Sequence, residues 1–109
     1  MHFFDIDEMA ARELAEGVKI RVIAGDRMTM VRFSLKKGAL IPEHAHPHEQ
    51  MGIVVTGKMK LVIDEKSQIV EPGSAWQIPS DVVHRGECLA DETVVLECFS
   101  PPRKDLEKK

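Results

Sequence analysis

The sequence predicts an all-β domain, an antiparallel sandwich or small barrel, behind a short helical or irregular N-terminal segment. Three observations predict it. Clusters of Gly, Pro, Asp and Ser punctuate the chain at short intervals. The apolar segments between them recur every eight to twelve residues, as strands do in sandwiches and barrels. No long helical pattern separates them. A chain of 109 residues, 43% hydrophobic and 30% charged, has the length and composition of one folded core.

In chain order, residues 1–17 form an N-terminal segment with a short helix expected around Asp7–Glu16, ended by Gly17. Val18–Ile23 and Met28–Leu35 flank Ala24-Gly25-Asp26-Arg27 and read as a hairpin. Lys36-Lys37-Gly38 turns the chain into Leu40–His46. Gln50–Thr56 reaches Gly57-Lys58, a two-residue turn, and returns as Met59–Ile63. Asp64-Glu65-Lys66-Ser67 precedes a short Gln68–Val70. Pro72-Gly73 starts Ala75–Ile78, and Pro79-Ser80-Asp81 ends it. Val82–Arg85 and Thr93–Phe99 complete a barrel spanning 18–100, followed by a tail, 101–109. Arg103 to Lys109 is mixed in sign and reads as solvated.

In Thr93–Phe99, Val95, Glu97 and Phe99 share one face, and Val94, Leu96 and Cys98 share the other. Apolar residues on both faces mean that both are covered, by a second sheet or by a partner copy, so a homodimer is expected. Glu97, a lone acid on a covered face, sits either at a rim or in a site.

Several function classes are disfavoured. A net charge of −3 and a pI near 5.9 leave no electrostatic footprint for nucleic acid. No apolar run approaches the roughly 18 to 20 residues that span a bilayer. The acid-interrupted N-terminus lacks the layout of a signal peptide, and Cys88 and Cys98 make no disulfide framework, so a cytoplasmic protein is expected.

The chemistry is concentrated in HAHPHEQ, residues 44–50, which holds three of the five histidines. His44 and His46, two apart on a strand, point to one face and can share an ion. Pro47 bends the chain so that a further ligand can return to the same place. One strand cannot close a coordination sphere, and His84 is the distant histidine available to do so. Two histidines with a third N/O ligand suit Zn, Fe, Ni or Mn better than Ca or Mg. His48 has three readings: partner to a ligand, substrate contact, or exposed loop residue. Trp76 and Gln77 precede Ile78-Pro79, and one of the two is expected to line the pocket.

Gly38-x5-His44-x-His46-x3-Gln50-x6-Gly57 and Gly73-x5-Pro79-x-Asp81-x2-His84-x3-Cys88 resemble the two consensus motifs of the cupin superfamily, with every spacing kept. The resemblance implies a double-stranded β-helix, a small jelly roll, with one divalent transition metal in the barrel mouth held by His44, His46, Gln50 and His84. There are three departures: Gln50 for the usual glutamate, Asp81 for a glycine, and Cys88 for an asparagine. Asp81 and Cys88 affect turn geometry, with Cys88 read as a small buried residue rather than a reactive thiol. Gln50 leaves the ion its full charge, which favours redox-neutral Lewis-acid chemistry over oxidation.

HAHPHEQ together with Phe99-Ser100-Pro101-Pro102-Arg103 further resembles the KdgF-like cupins of pectin and alginate breakdown, which convert 4,5-unsaturated uronates to linear 5-keto sugars. The resemblance implies an acid–base role for Glu97, where that group has aspartate. It also implies a pocket wall at Phe99, whose plain reading is core filling, and a bidentate clamp on a sugar carboxylate at Arg103, whose plain reading is tail charge. The rival functions are a cupin dioxygenase or another sugar or keto-acid isomerase with the same site, and a non-catalytic cupin that binds a small acid.

Overall fold

The computed structural model describes residues 2–108. Among them are ten strands: β1 (Arg12–Ala15), β2 (Val18–Ala24), β3 (Thr29–Leu35), β4 (Leu40–His44), β5 (Glu49–Thr56), β6 (Met59–Ile63), β7 (Lys66–Val70), β8 (Ala75–Ile78), β9 (His84–Cys88) and β10 (Thr93–Ser100). They form two antiparallel sheets, ordered β1-β2-β3-β10-β5-β8 and β4-β9-β6-β7. After β3 the chain passes between the sheets at every connection except the β6–β7 hairpin, which wraps it into a jelly roll and brings residues distant in sequence to one mouth.

Alternation decides which side chains meet between the sheets. Val18, Leu35, Val54, Met59, Leu61, Val70, Cys88 and Val95 fill one end. Ile20, Val31 and Phe99 fill the other, joined by Leu106 from beyond the last strand. Burying each of the larger of these side chains contributes about 1.5–3 kcal/mol. Gly57 makes the β5–β6 turn with φ +89°, and a Cβ there would lie 2.3 Å from the Thr93 hydroxyl. Asp81 stands where the motif usually has glycine, and its φ is +65°. The left-handed turn is therefore kept by one of the few side chains that tolerate it. Cys88 is buried, with its thiol donating to the Ala90 carbonyl, as a small core residue.

Three expectations are corrected. Asp7–Glu16 is not a helix: Ile6–Glu8 makes one 3₁₀ turn capped by Asp5, and Arg12–Ala15 is strand β1, paired with β2. Gly17, with φ +76°, is a hairpin turn rather than a helix stop, a distinction that glycine alone does not make. The strand expected at Val82–Arg85 starts at His84 and runs to Cys88. The C-terminal residues are not simply solvated. Lys104–Glu107 forms a short helix, α1, which seals the second core cluster with Leu106, 6% exposed. Among the described residues no helix is long and apolar enough to cross a membrane.

Candidate metal and acid–base site

His44 ends β4 and His84 begins β9, directly opposite each other in the ladder, with ring centroids 4.2 Å apart. His46 lies just past β4 on the bend at Pro47, where the Asp81 amide donates to its carbonyl at 2.8 Å. That bond ties the two motif loops together. Its ring meets those of His84 and Phe99 edge-on at 5.1 and 5.8 Å. One ring nitrogen from each of His44, His46 and His84 lies within 4.8 Å of the others.

The hydrogen bonds decide which nitrogen each ring offers. Nδ1 of His44, His46 and His84 meets the carbonyls of Pro42, His48 and Val82 at 2.8, 3.1 and 2.9 Å. A carbonyl only accepts, so Nδ1 carries the proton and Nε2 keeps its lone pair. Among the described residues, buried Nε2 of His46 and of His84 has no hydrogen-bond partner, and neither has buried Oε1 of Gln50. Buried polar atoms left without partners are costly unless something else satisfies them. Burial is the main cause lowering the pKa of both His46 and His84, with the Arg103 charge and the neighbouring histidines adding to it. Neutral imidazoles are the form that ligates. The donor set thus fits a divalent transition metal, as the motif implies.

Gln50 is inward on β5 and 5% exposed, whereas Glu49 faces outward and accepts from Gln77 at 3.1 Å. The Gln50 amide Nε2 donates to Glu97 Oε2. Its carbonyl oxygen is thereby left for the histidine cluster, and its amine is spent on the acid. Glu97 lies on β10 opposite Gly52, and Gly52 lies opposite Trp76 on β8. A Cβ on Gly52 would sit 2.6 Å from the Trp76 indole, so the missing side chain is what lets the ring lie across the strand towards Glu97. Desolvation pushes the Glu97 pKa up to about 7, against the hydrogen bond from Gln50 and the charge of Arg103, whereas the Trp76 indole nitrogen, though buried nearby, has no hydrogen-bond partner among the described residues. Trp76, not Gln77, is the inward member of that pair.

Phe99 is buried and lines the same cavity, about 290 Å³, as His44, Gln50, His84, Glu97 and Arg103. The Arg103 guanidinium stacks 4.8 Å above the Phe99 ring. Its Nε and Nη2 already hold the two carboxylate oxygens of Asp105 at 3.0 and 2.9 Å. A second carboxylate therefore meets only the Nη1–Nη2 edge, a restriction that the sequence reading of Arg103 lacked. His48 is half-buried rather than an exposed loop residue: its backbone carbonyl meets His46 Nδ1 and its ring lies edge-on to that of His46 at 5.3 Å, while its own buried Nδ1 has no hydrogen-bond partner among the described residues. Sequence reasoning passed over Gly52 and Asp105. Gly52 is two residues from Gln50 and shares its face, and Asp105 is two residues from Arg103. Those spacings were the available signals.

Residues 31–100 match the family model for the cupin domain. The pectin degradation protein KdgF of Dickeya dadantii (strain 3937) is 31% identical over 106 residues, covering 95% of this chain and 96% of its own. KdgF from Halomonas sp. superposes with a TM-score of 0.92 at 26% identity, covering 97% of this chain and 98% of that one. An RmlC-like cupin from Shewanella frigidimarina NCIMB 400 gives 0.92 at 25% identity, covering 97% and 96%.

Proposed function

The chain belongs to the cupin family, and on that footing we propose that it is a metal-dependent enzyme that opens an unsaturated uronate, or a related sugar acid, to a linear keto sugar. The observation that carries the reading is the Gln50 amide, which joins the histidine cluster to a half-buried acid through its two ends. A proton carrier next to a metal cradle is what a tautomerisation needs. Support for the substrate class comes from the similarity to a pectin degradation protein along nearly the whole chain.

An unsaturated uronate is a cyclic hemiacetal whose ring oxygen sits on the C4=C5 double bond. Ring opening breaks the C1–O bond, frees C1 as an aldehyde and leaves an enol at C5. The C1 hydroxyl loses a proton and C4 gains one, so the reaction is an isomerisation with no other reactant. A divalent ion held by His44, His46, Gln50 and His84 supplies Lewis-acid stabilisation of negative charge developing on oxygen. Glu97 moves the proton. Phe99 walls the pocket, and the Nη1–Nη2 edge of Arg103 receives the sugar carboxylate. Two copies of the chain assemble through the outer face of the six-stranded sheet.

The test is to mix metal-loaded protein with an unsaturated monouronate and follow the enol absorbance, with and without chelator. Chelator-sensitive loss well above the spontaneous rate is expected. No acceleration with metal bound removes this substrate class, and acceleration that survives chelation removes the metal.

A further inference from the structure

We propose that Asp105 and Thr29 are positioning residues for Arg103, which they fix over the cavity with one guanidinium edge left for a single carboxylate. The inference rests on the reading that Arg103 receives the substrate. Arg103 lies beyond the barrel's last strand, where a long side chain has many rotamers to lose on binding. Here both its backbone and its side chain are held.

The backbone is held by Thr29, which is fully buried. Its hydroxyl accepts from the Arg103 amide at 2.9 Å and donates to Glu107 Oε2 at 2.7 Å. The Arg103 carbonyl accepts from the amides of Leu106 and Glu107 at 3.0 and 3.2 Å. Leu106 anchors that turn in the second core cluster, and Arg12 donates to its carbonyl from β1. A hydroxyl does what no apolar residue does here: it accepts from one end of the C-terminal turn and donates to the other.

The side chain is held by Asp105. A guanidinium has five N–H donors in a rigid fork. Asp105 occupies the Nε–Nη2 edge, and the Phe99 ring covers one face. Among the described residues Nη1 carries no hydrogen bond. What remains is the Nη1–Nη2 edge, a second parallel pair of donors matched to a planar carboxylate. The pair Arg103–Asp105 is neutral, so the selection is by the geometry of two parallel hydrogen bonds rather than by excess positive charge. Holding the fork in advance removes an ordering cost from substrate binding and leaves the chemical step alone.

The opposite arrangement is also physically clear. If Asp105 only competes for the guanidinium, its removal improves substrate binding. The experiment therefore compares wild type with Asp105→Asn, Thr29→Val and Thr29→Ser, all zinc-loaded. It reads kcat and KM on an unsaturated monouronate and the ¹H–¹⁵N resonance of Arg103 Nε. Positioning predicts that Asp105→Asn displaces the Nε resonance and raises KM about tenfold, with kcat within twofold. It further predicts that Thr29→Ser recovers the KM that Thr29→Val loses. An unchanged or lowered KM in Asp105→Asn overturns the proposal. If wild type leaves the uronate untouched, the proposed function fails by itself and the resonance alone decides. Displacement then supports the fixed fork, and an unmoved signal overturns it.

Discussion

At the scale of single residues, the glutamine at position 50 has a physical reason to replace the superfamily's glutamate. Its amide nitrogen donates to the half-buried Glu97 carboxylate, and its oxygen faces the histidine cluster. A glutamate there would set two acceptor groups face to face, and one of them would have to hold a proton. Gln50→Glu should thus lower the stability of the metal-free protein at pH 8 by about 1–3 kcal/mol, the cost of a buried group losing its partner. Adding Glu97→Gln restores a donor–acceptor pair and should recover most of that loss, which urea denaturation of the four forms reads directly as a coupling energy. Turnover should not recover with it, because the proton carrier is gone. Glu97→Gln alone should keep its metal, measured by elemental analysis, and lose turnover. Retained activity would exclude the acid–base role.

At the scale of elements, the hairpins were legible because their turns and their alternation agree. Met59–Ile63 and Ala75–Ile78 are strands at the predicted bounds, and the inward set Val95, Glu97 and Phe99 follows from period two alone. The histidine triad was legible because motif spacing maps onto strand ends. Two elements were not legible. Strand β1 has four residues and exists through pairing with β2, a tertiary contact that local propensity does not encode. Helix α1 owes its place to Leu106 entering a core cluster built by β2, β3 and β10, inside a stretch whose charges suggested solvent. Leu106→Ala should therefore cost about 2 kcal/mol or more, seen as a lowered midpoint in thermal or urea denaturation. The Asp105 carboxyl next to it is held at a pKa of about 2, below its ordinary 3.8, chiefly by its hydrogen bonds to Arg103. A depressed carboxyl pKa stabilises the fold above about pH 4 and loses that contribution as pH falls through about 2. Asp105 is largely exposed, so its effect on global stability is small, and the readout belongs at the ion pair. The Arg103 Nε shift of the metal-free protein should titrate with a midpoint near 2. A midpoint near 4 would mean that the pair does not form in solution.

At the scale of the whole molecule, the inner faces of the two sheets satisfy each other, but the outer face of the larger sheet does not follow the polar pattern of a solvated surface. Register aligns Ile23, Met30, Cys98 and Met51 in one row across β2, β3, β10 and β5. The next row runs through Arg21, Arg32, Leu96, Ile53 and Ala75. The N-terminal segment crosses the β2–β3 end of this face, where Arg21 donates to the Met9 carbonyl and Arg32 pairs with Asp7. The β10–β5 end remains open, with Met51 and Ile53 56% and 40% exposed. A contiguous apolar patch of this kind marks an interaction surface, and a two-fold pairing of identical patches is the commonest way to cover one. A lysine at Ile53 would place two like charges near the axis of such a pair while leaving the inward residues of β5 in place. Ile53→Lys should therefore convert a dimer to a monomer in sedimentation at micromolar concentration and leave metal content unchanged, because Gln50 and the histidines face the other way. A wild-type monomer under the same conditions would show that the patch serves another partner, and the outward residues of β10 would then be the place to look for it.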